Sequence, residues 1–397
     1  MLTPQGELQP LQDPVEAGEL PLRMLLSPDQ RFLYLLDNPG ADLASALFAY
    51  TISQDRSLSE RSAGKSGLPP LISSFGMAFH PTGKKMYFTE SHTNAPPNSW
   101  VSVYGVDAEG FVSFETTRKS DAFPSAVAVT PDGKHVYVTT LGTSQVCMYD
   151  ADATTGEVTS PNNANDSPPC VPTGPLPIAV QVDPRGAYAW VANSGNSQPG
   201  SVTAFTIPPS GVLSQIAEVE AGGTPWDIAF NSHGTYGVVL DRDGRLLLYQ
   251  VSSTGAPSLQ SSVQISSQLF AVTFAASDQF VLVAQFDKDM VSAYAFNEST
   301  GQLEWLKDSP VGAGPISIAC TSNTTGSTPP ASAPPAAAAP LAASAPRADS
   351  GGGGGCTLNP GTGFDPMLIG LTALLLTDLV FPGIRRRLLP SHRRQHP

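Results

Sequence analysis

Charged residues are scarce in this sequence: Asp, Glu, Lys and Arg together make up 14% of its 397 residues. Basic residues are the rarest over residues 1–322, which carry 15 Lys and Arg against 31 Asp and Glu, a net charge of −16. Nucleic-acid binding requires clustered Lys or Arg to neutralise phosphates. The acidic body therefore excludes a nucleic-acid partner and is typical of a protein that stays soluble outside the cell.

Recognisable catalytic and metal-binding motifs are also missing. The sequence has no GxSxG, Walker A, HExxH or EF-hand pattern. Its four cysteines, Cys147, Cys170, Cys320 and Cys356, include no CxxC pair, so we expect no metal and no cofactor. Cys147 and Cys170 can form a disulfide in an oxidising compartment, but spacing does not establish it, and we expect the first three cysteines to be packed thiols.

Glycine and proline, in contrast, are abundant, with 36 and 38 residues, while 41% of the chain is hydrophobic. Such a turn-rich composition with enough apolar residues for a core favours an all-β fold.

A turn of the Pro-Asp-Gly type, followed by an aromatic-rich strand, recurs six times. The residues at the anchor position of the six copies are Gln30, Gly83, Gly133, Gly186, Gly234 and Asp278, spaced by 53, 50, 53, 48 and 44 residues. This period is the length of one four-stranded blade of a β-propeller. Each copy begins with an apolar run typical of an innermost strand covered on both faces.

Counting strands predicts seven blades, one of them split between the chain ends. Seven inner strands are present, the last at residues 315–320, and a seventh outer-strand turn lies at residues 3–8, but the middle hairpin occurs six times. We expect the missing hairpin, and an export signal, to lie upstream of Met1. The alternative is a six-bladed ring with a frayed N-terminus.

The strands that follow these turns carry segments close to an aromatic-Val-Thr/Ala-Asn signature: Tyr-Phe-Thr-Glu at 87–90, Tyr-Val-Thr-Thr at 137–140 and Trp-Val-Ala-Asn at 190–193. This signature resembles the YVTN family of lactonase-like seven-bladed β-propellers, and the resemblance covers residues 1–320. It implies the propeller fold, whereas a fold by itself does not imply an activity.

The chain changes character after residue 320. Residues 321–355 consist almost entirely of Ser, Thr, Pro, Ala and Gly and are predicted to be a disordered linker. Residues 356–397 contain Cys-Thr-Leu-Asn-Pro at 356–360 and Phe-Asp-Pro at 364–366, followed by a predicted hydrophobic helix at 367–381 and a basic end at 385–394. Together these elements resemble the C-terminal sorting signals of bacterial surface proteins. The preceding Gly run and the two motifs are similar to the JDVT-CTERM class, which implies that Cys356 lies at or near the processing point. The alternative is a simple tail anchor. Both predict an exported propeller at the cell surface, in the outer membrane or outside the cell, which contacts the membrane at least transiently. We expect the protein to be a monomer.

Loops at the mouth of a propeller channel usually form its ligand face. Acidic groups sharing such a cavity can bind a cation or act as general bases. The candidate ligand-binding residues there are Asp37, Asn193, Asp227, Asp241 and Asp287.

Three functions are compatible with this sequence. The preferred hypothesis is a surface module that binds a small molecule or a surface partner without catalysis. The alternative is a lactone hydrolase of the 6-phosphogluconolactonase-like propeller family that uses His92, Glu90 and Arg242, although Arg242, flanked by two aspartates, is more simply explained as a surface charge. The third is a cation-dependent structural module.

Overall fold

A computed structural model describes residues 1–15, 17–18, 20–37, 45–61, 74–91, 99–160, 166–195, 198–265, 267–321 and 356–358. The predicted linker at 321–355, apart from its first residue, and the hydrophobic and basic parts of the tail lie outside these residues. Within them, no helix is long and apolar enough to cross a membrane.

Twenty-seven short strands and one 3₁₀ turn, Phe286–Lys288, make up the described secondary structure. The strands are β1 Pro21–Leu26, β2 Phe32–Asp37, β3 Ala46–Ile52, β4 Leu58–Glu60, β5 Ser74–Phe79, β6 Lys85–Ser91, β7 Ser99–Val106, β8 Val112–Lys119, β9 Pro124–Val129, β10 His135–Thr140, β11 Gln145–Ala151, β12 Val158–Ser160, β13 Cys170–Pro172, β14 Pro177–Val182, β15 Tyr188–Asn193, β16 Gly200–Thr206, β17 Ser214–Gly222, β18 Pro225–Phe230, β19 Tyr236–Asp241, β20 Arg245–Val251, β21 Pro257–Gln264, β22 Leu269–Ala275, β23 Phe280–Gln285, β24 Met290–Asn297, β25 Gln302–Pro310, β26 Ile318–Cys320 and β27 Cys356–Leu358.

These strands form a β-propeller. Six sheets each contain four antiparallel strands in chain order, and the third also contains β13 beside β11. We call the sheets blades 1 to 6. The inner strands β1, β5, β9, β14, β18 and β22 contact one another in sequence, and β26 contacts both β22 and β1, so that seven inner strands close a ring around a central channel. The predicted all-β propeller is confirmed, and the described residues form six complete blades.

The repeat turns connect the first strand of each blade to the second. All six anchor residues have a left-handed backbone, with φ between 58° at Gln30 and 73° at Gly133. Glycine adopts this conformation without a steric penalty, which is why it occupies four of the six positions.

The aromatic residue of the YVTN-like signature fastens each blade to the next. In four blades it is fully buried and donates a hydrogen bond to the carbonyl of a positive-φ glycine in the following blade's outer turn. The pairs are Tyr34 to Gly110 (2.7 Å), Tyr87 to Gly156 (2.6 Å), Tyr137 to Gly211 (3.1 Å) and Trp190 to Gly255 (2.9 Å). The signature therefore satisfies a buried carbonyl while filling the interface between blades.

Apolar clusters fill the spaces between blades. Five lie between consecutive complete blades, a sixth joins blade 6 to Leu2 and Leu8, and a seventh joins blade 1 to Ala17 and Ala319. The N-terminal residues and β26 thus occupy the gap between blades 6 and 1.

The N-terminal turn has the same hydrogen bonds as the outer turns of complete blades. Thr3 N–H donates to the Glu7 carbonyl at 2.9 Å, and Gly6 N–H donates to the Thr3 carbonyl at 3.0 Å. The same pattern recurs at residues 53–57, 107–111 and 252–256. The turn also contacts blade 6, because Glu7 pairs with Lys307 at 2.7 Å and Leu8 N–H donates to the Ser309 hydroxyl at 3.0 Å.

The cysteines depart from the sequence prediction. Cys147 and Cys170 lie opposite each other on β11 and β13 and form a disulfide, and Cys320 is disulfide-bonded as well. The expectation that these three are packed thiols is wrong, because strand pairing brings two residues 23 positions apart into direct opposition.

Candidate active site

The mouth of the channel is shaped by an irregularity repeated in all six blades. The first residue of each inner strand pairs with a polar residue at or next to the end of the second strand, and the register then shifts before the third or fourth residue of the inner strand. Bulges of this kind redirect side chains and are common beside active sites.

Three of the candidate residues stand at the paired position and hold the loops between blades. Asp241 is fully buried, accepts the N–H groups of Gly223, Thr224 and Asp243 at 3.0–3.1 Å, and pairs with Arg245 at 2.9 Å. Its oxygens are thus surrounded by donors from its own blade and the preceding loop.

Asp37 and Asn193 make similar contacts. Asp37 accepts the N–H of Leu20 at 2.6 Å. The Asn193 amide donates to the hydroxyls of Ser201 and Thr203 at 3.1 and 2.9 Å. Their polar groups anchor backbone and neighbouring side chains at the mouth.

Glu90 occupies the same position in blade 2 but lacks such donors. It is 8% exposed and lies on the face that Phe88 and Tyr104 present to blade 1. Burial raises its pKa to about 7, and the hydroxyls of Ser102 and Tyr104 offset part of this effect without reaching hydrogen-bond geometry. Its carboxyl therefore titrates near neutral pH between two blades.

Arg242 lies between two aromatic rings at the mouth, near the inner strands of blades 5 and 6. Its guanidinium carbon is 4.7 Å from the centre of the Trp226 ring and 4.5 Å from that of Phe270, and burial lowers its pKa to about 10. The explanation of Arg242 as a surface charge is wrong, since the residue is 6% exposed.

Asp227 follows Trp226 on β18, the inner strand of blade 5. It is 8% exposed and accepts the N–H of Val272, in the inner strand of blade 6, at 3.0 Å. Burial raises its pKa, and the positive charge of Arg23 opposes that shift. Arg23 belongs to blade 1, which is not adjacent to blade 5, so the interaction acts across the channel.

Arg23 and Asp227 are the third residues of their inner strands and lie at the same depth. No direct ion pair joins them in the part of the chain that the structure describes. Sequence reasoning missed Arg23, although a charged residue at the same repeat position as Asp227, in an otherwise apolar strand, was a signal for it.

The remaining candidates lie elsewhere. Asp287 is exposed on the 3₁₀ turn and accepts the N–H of Gln268 at 3.0 Å. His92 lies outside the described residues, and of Cys356 the structure describes the backbone in β27. Glu90 and Arg242 belong to opposite sectors of the ring, between blades 1 and 2 and blades 5 and 6, so the proposed trio of Glu90, Arg242 and His92 is not assembled by the described structure.

The chain also matches a known protein family. The profile of the family described as "Lactonase, 7-bladed beta-propeller" matches residues 1–175 and 127–267. The chain belongs to this family. The 6-phosphogluconolactonase of Yersinia pestis is 26% identical over 325 residues, covering 79% of this chain and 91% of the relative.

Solved structures show the same fold. A putative 6-phosphogluconolactonase from Bacteroides fragilis superimposes with a TM-score of 0.63 at 19% identity, covering 79% of this chain and 89% of its own. The periplasmic gluconolactonase PpgL of Pseudomonas aeruginosa gives a TM-score of 0.62 at 19% identity, with coverages of 77% and 89%.

These findings contradict the preferred sequence-based hypothesis of a binding module without catalysis. The matched family is a lactonase family. The relatives named above are lactonases, and the match covers most of the length of each. They favour the alternative, lactone hydrolysis. The hypothesis rested on the absence of a recognisable catalytic motif, and such an absence does not exclude catalysis.

Proposed function

We propose that this protein is a lactone hydrolase that opens a sugar-acid lactone in the central channel. The observation that carries the proposal is that Arg23 and Asp227 occupy the same position in the inner strands of two non-adjacent blades of a lactonase-family propeller. The names of the relatives support a sugar-acid lactone as the substrate class.

The two charges suit the chemistry of ester hydrolysis. Asp227 takes a proton from water as the water oxygen attacks the lactone carbonyl, and its raised pKa makes the carboxylate a stronger base than an ordinary aspartate. Negative charge develops on the carbonyl oxygen, where the Arg23 guanidinium stabilises it. The bond to the ring oxygen then breaks, and the proton held by Asp227 passes to that oxygen to give the hydroxy acid.

The remaining contacts of Asp227 hold it in place for this role. The Val272 N–H fixes one carboxylate oxygen at 3.0 Å, so the position of the base does not depend on solvent. Trp226, the preceding residue, is fixed by packing against Phe270, with ring centres 5.8 Å apart. Rigid supports of this kind preserve the geometry that catalysis requires.

The test is hydrolysis of glucono-δ-lactone and 6-phosphoglucono-δ-lactone, followed by acid release at constant pH. Asp227→Asn keeps an oxygen for the Val272 N–H but removes the base, so kcat should fall by about 10²–10³-fold. Arg23→Met should lower kcat/KM by about 10²-fold. Asp29→Asn and Arg31→Met, an exposed pair on the opposite face of blade 1, are the matched controls and should leave the rate unchanged.

The proposal fails if Asp227→Asn and Arg23→Met, both folded by circular dichroism, retain the rate of the unmodified protein. It also fails if the unmodified protein hydrolyses neither lactone faster than buffer does.

We also propose that the protein acts outside the cytoplasm and that its C-terminal segment serves in sorting or anchoring. The Cys147–Cys170 disulfide supports an oxidising compartment. Cell fractionation with an antibody against the propeller tests this, and recovery of the protein in the cytoplasm would contradict it.

Finally, we propose that β26 and the N-terminal turn belong to one seventh blade, as its inner strand and its outer turn. Their position between blades 6 and 1 and the shared hydrogen-bond pattern of the turn support this assignment.

A further inference from the structure

The second-strand position of the seventh blade is taken by a distant part of the chain. In every complete blade the inner strand pairs antiparallel with a second strand that follows it directly in sequence. β26 instead pairs antiparallel with β27, with Ile318 opposite Leu358, Ala319 opposite Thr357 and Cys320 opposite Cys356. By partner and direction, β27 stands where a second strand would stand.

The cysteines provide an independent observation at the same place. Cys320 is disulfide-bonded, and Cys147 and Cys170 are bonded to each other. The chain has four cysteines, and the ladder places the backbone of Cys356 directly opposite Cys320.

We infer that Cys356–Leu358 is the second strand of the seventh blade and that the Cys320 disulfide joins it to Cys356. The C-terminal segment is then a clasp that closes the ring. The inference is independent of the proposed lactonase activity, since it concerns the closure between blades 6 and 1.

The clasp has a physical rationale. An inner strand with an open edge exposes N–H and C=O groups that can pair with other chains, and propellers commonly protect this edge by completing a blade from both chain ends. β26 has three residues, and a disulfide compensates for a ladder this short by limiting how far the strands can separate. A disulfide at Cys356 would also withhold its sulfur from any processing reaction until reduction.

Disulfide mapping of the full-length protein tests the inference directly. Trypsin cuts after Lys307, Arg347 and Arg385, so Cys320 and Cys356 fall in different peptides, 308–347 and 348–385, whereas Cys147 and Cys170 share peptide 135–185. After free thiols are blocked, the unreduced digest should contain 308–347 joined to 348–385. A blocked Cys320, or Cys320 joined to peptide 135–185, would overturn the disulfide assignment.

Hydrogen exchange tests the strand. In the full chain the amides of Ile318, Ala319 and Cys320 should be protected, and in a chain ending at Thr321 their protection should fall at least about ten-fold. The amides of β9, on the far side of the ring, are the control and should keep theirs. Unchanged protection of β26 in the shortened chain would overturn the strand assignment.

Cysteine substitutions in the full-length chain provide a second test, which does not require the shortened chain to fold. Cys320→Ser, Cys356→Ser and the double variant should each lower Tm by about 5 °C, and by equal amounts, because each breaks the same bond. Different shifts, or a larger shift in the double variant, would show that the two cysteines do not act as a pair.

Discussion

The buried carboxyl of Glu90 predicts a specific loss of stability as pH rises. Its pKa is about 7 in the folded protein against 4.5 for an ordinary glutamate. A raised pKa means that the folded state holds the proton more tightly, so this stabilisation is complete below pH 4.5 and is lost as pH rises through 7. At about 1.4 kcal/mol per pH unit, the loss amounts to about 3 kcal/mol. The residue is 8% exposed, so solvent screens little of it.

Glu90→Gln removes the titration while keeping the size and polarity of the side chain. At pH 4 the variant and the unmodified protein should have similar free energies of unfolding, whereas at pH 8 the variant should be more stable by about 3 kcal/mol. Urea unfolding across this range measures the difference, and Glu304→Gln, an exposed position on β25, is the matched control. A difference between Glu90→Gln and the unmodified protein that does not change with pH would refute the reasoning.

Three further predictions concern the contacts that hold blades and loops together. Trp190→Phe removes the hydrogen bond to the Gly255 carbonyl and leaves that carbonyl unsatisfied, so the free energy of unfolding should fall by about 2 kcal/mol in urea titrations. Gly255→Ala should lower Tm, measured by circular dichroism, by several degrees, because φ is 88° and the added Cβ would lie 2.1 Å from the Tyr188 ring. Replacing Cys147 and Cys170 by serine opens the loop between positions separated by 23 residues and should cost about 3 kcal/mol of unfolding free energy.

Much of the fold could be predicted because the repeat has a physical cause at each position. The anchor turns require positive φ, and the structure has it even at Gln30 and Asp278, where glycine is replaced. The aromatic signature residue fills an interface and meets a carbonyl of the next blade. Because these requirements recur in most blades, they leave a periodic trace in the sequence.

The pairing of Cys147 with Cys170 could not be predicted in this way. β13 is an extra strand found in blade 3, so no other blade indicates that residues 170–172 pair with β11. The pairing of β27 could not be predicted either, because a long low-complexity segment separates it in sequence from its partner β26.

The charge of Arg242 was misjudged for a different reason. Its sequence neighbours Asp241 and Asp243 suggested a solvated cluster, but Asp241 is engaged by backbone N–H groups and Arg245. The aromatic rings that surround the Arg242 guanidinium come from two inner strands, one of them in the next blade. Neighbours in sequence therefore said little about neighbours in space.

Polar residues near the channel of this propeller fall into two classes: those whose hydrogen bonds hold the blades and loops together, and those that place a charge in an inner strand. Those at the repeated strand-end position, such as Asp241 and Asn193, bond to their own blade or to the loop that enters it, as any propeller of this design requires. Arg23 and Asp227 instead stand in inner strands that are otherwise almost wholly apolar, and their charges act on each other across the channel. A charge in such a strand costs stability through burial and contributes little to the blade itself. The presence of such a charge at the same strand position in two distant blades is therefore better explained by the proposed chemistry in the channel than by folding.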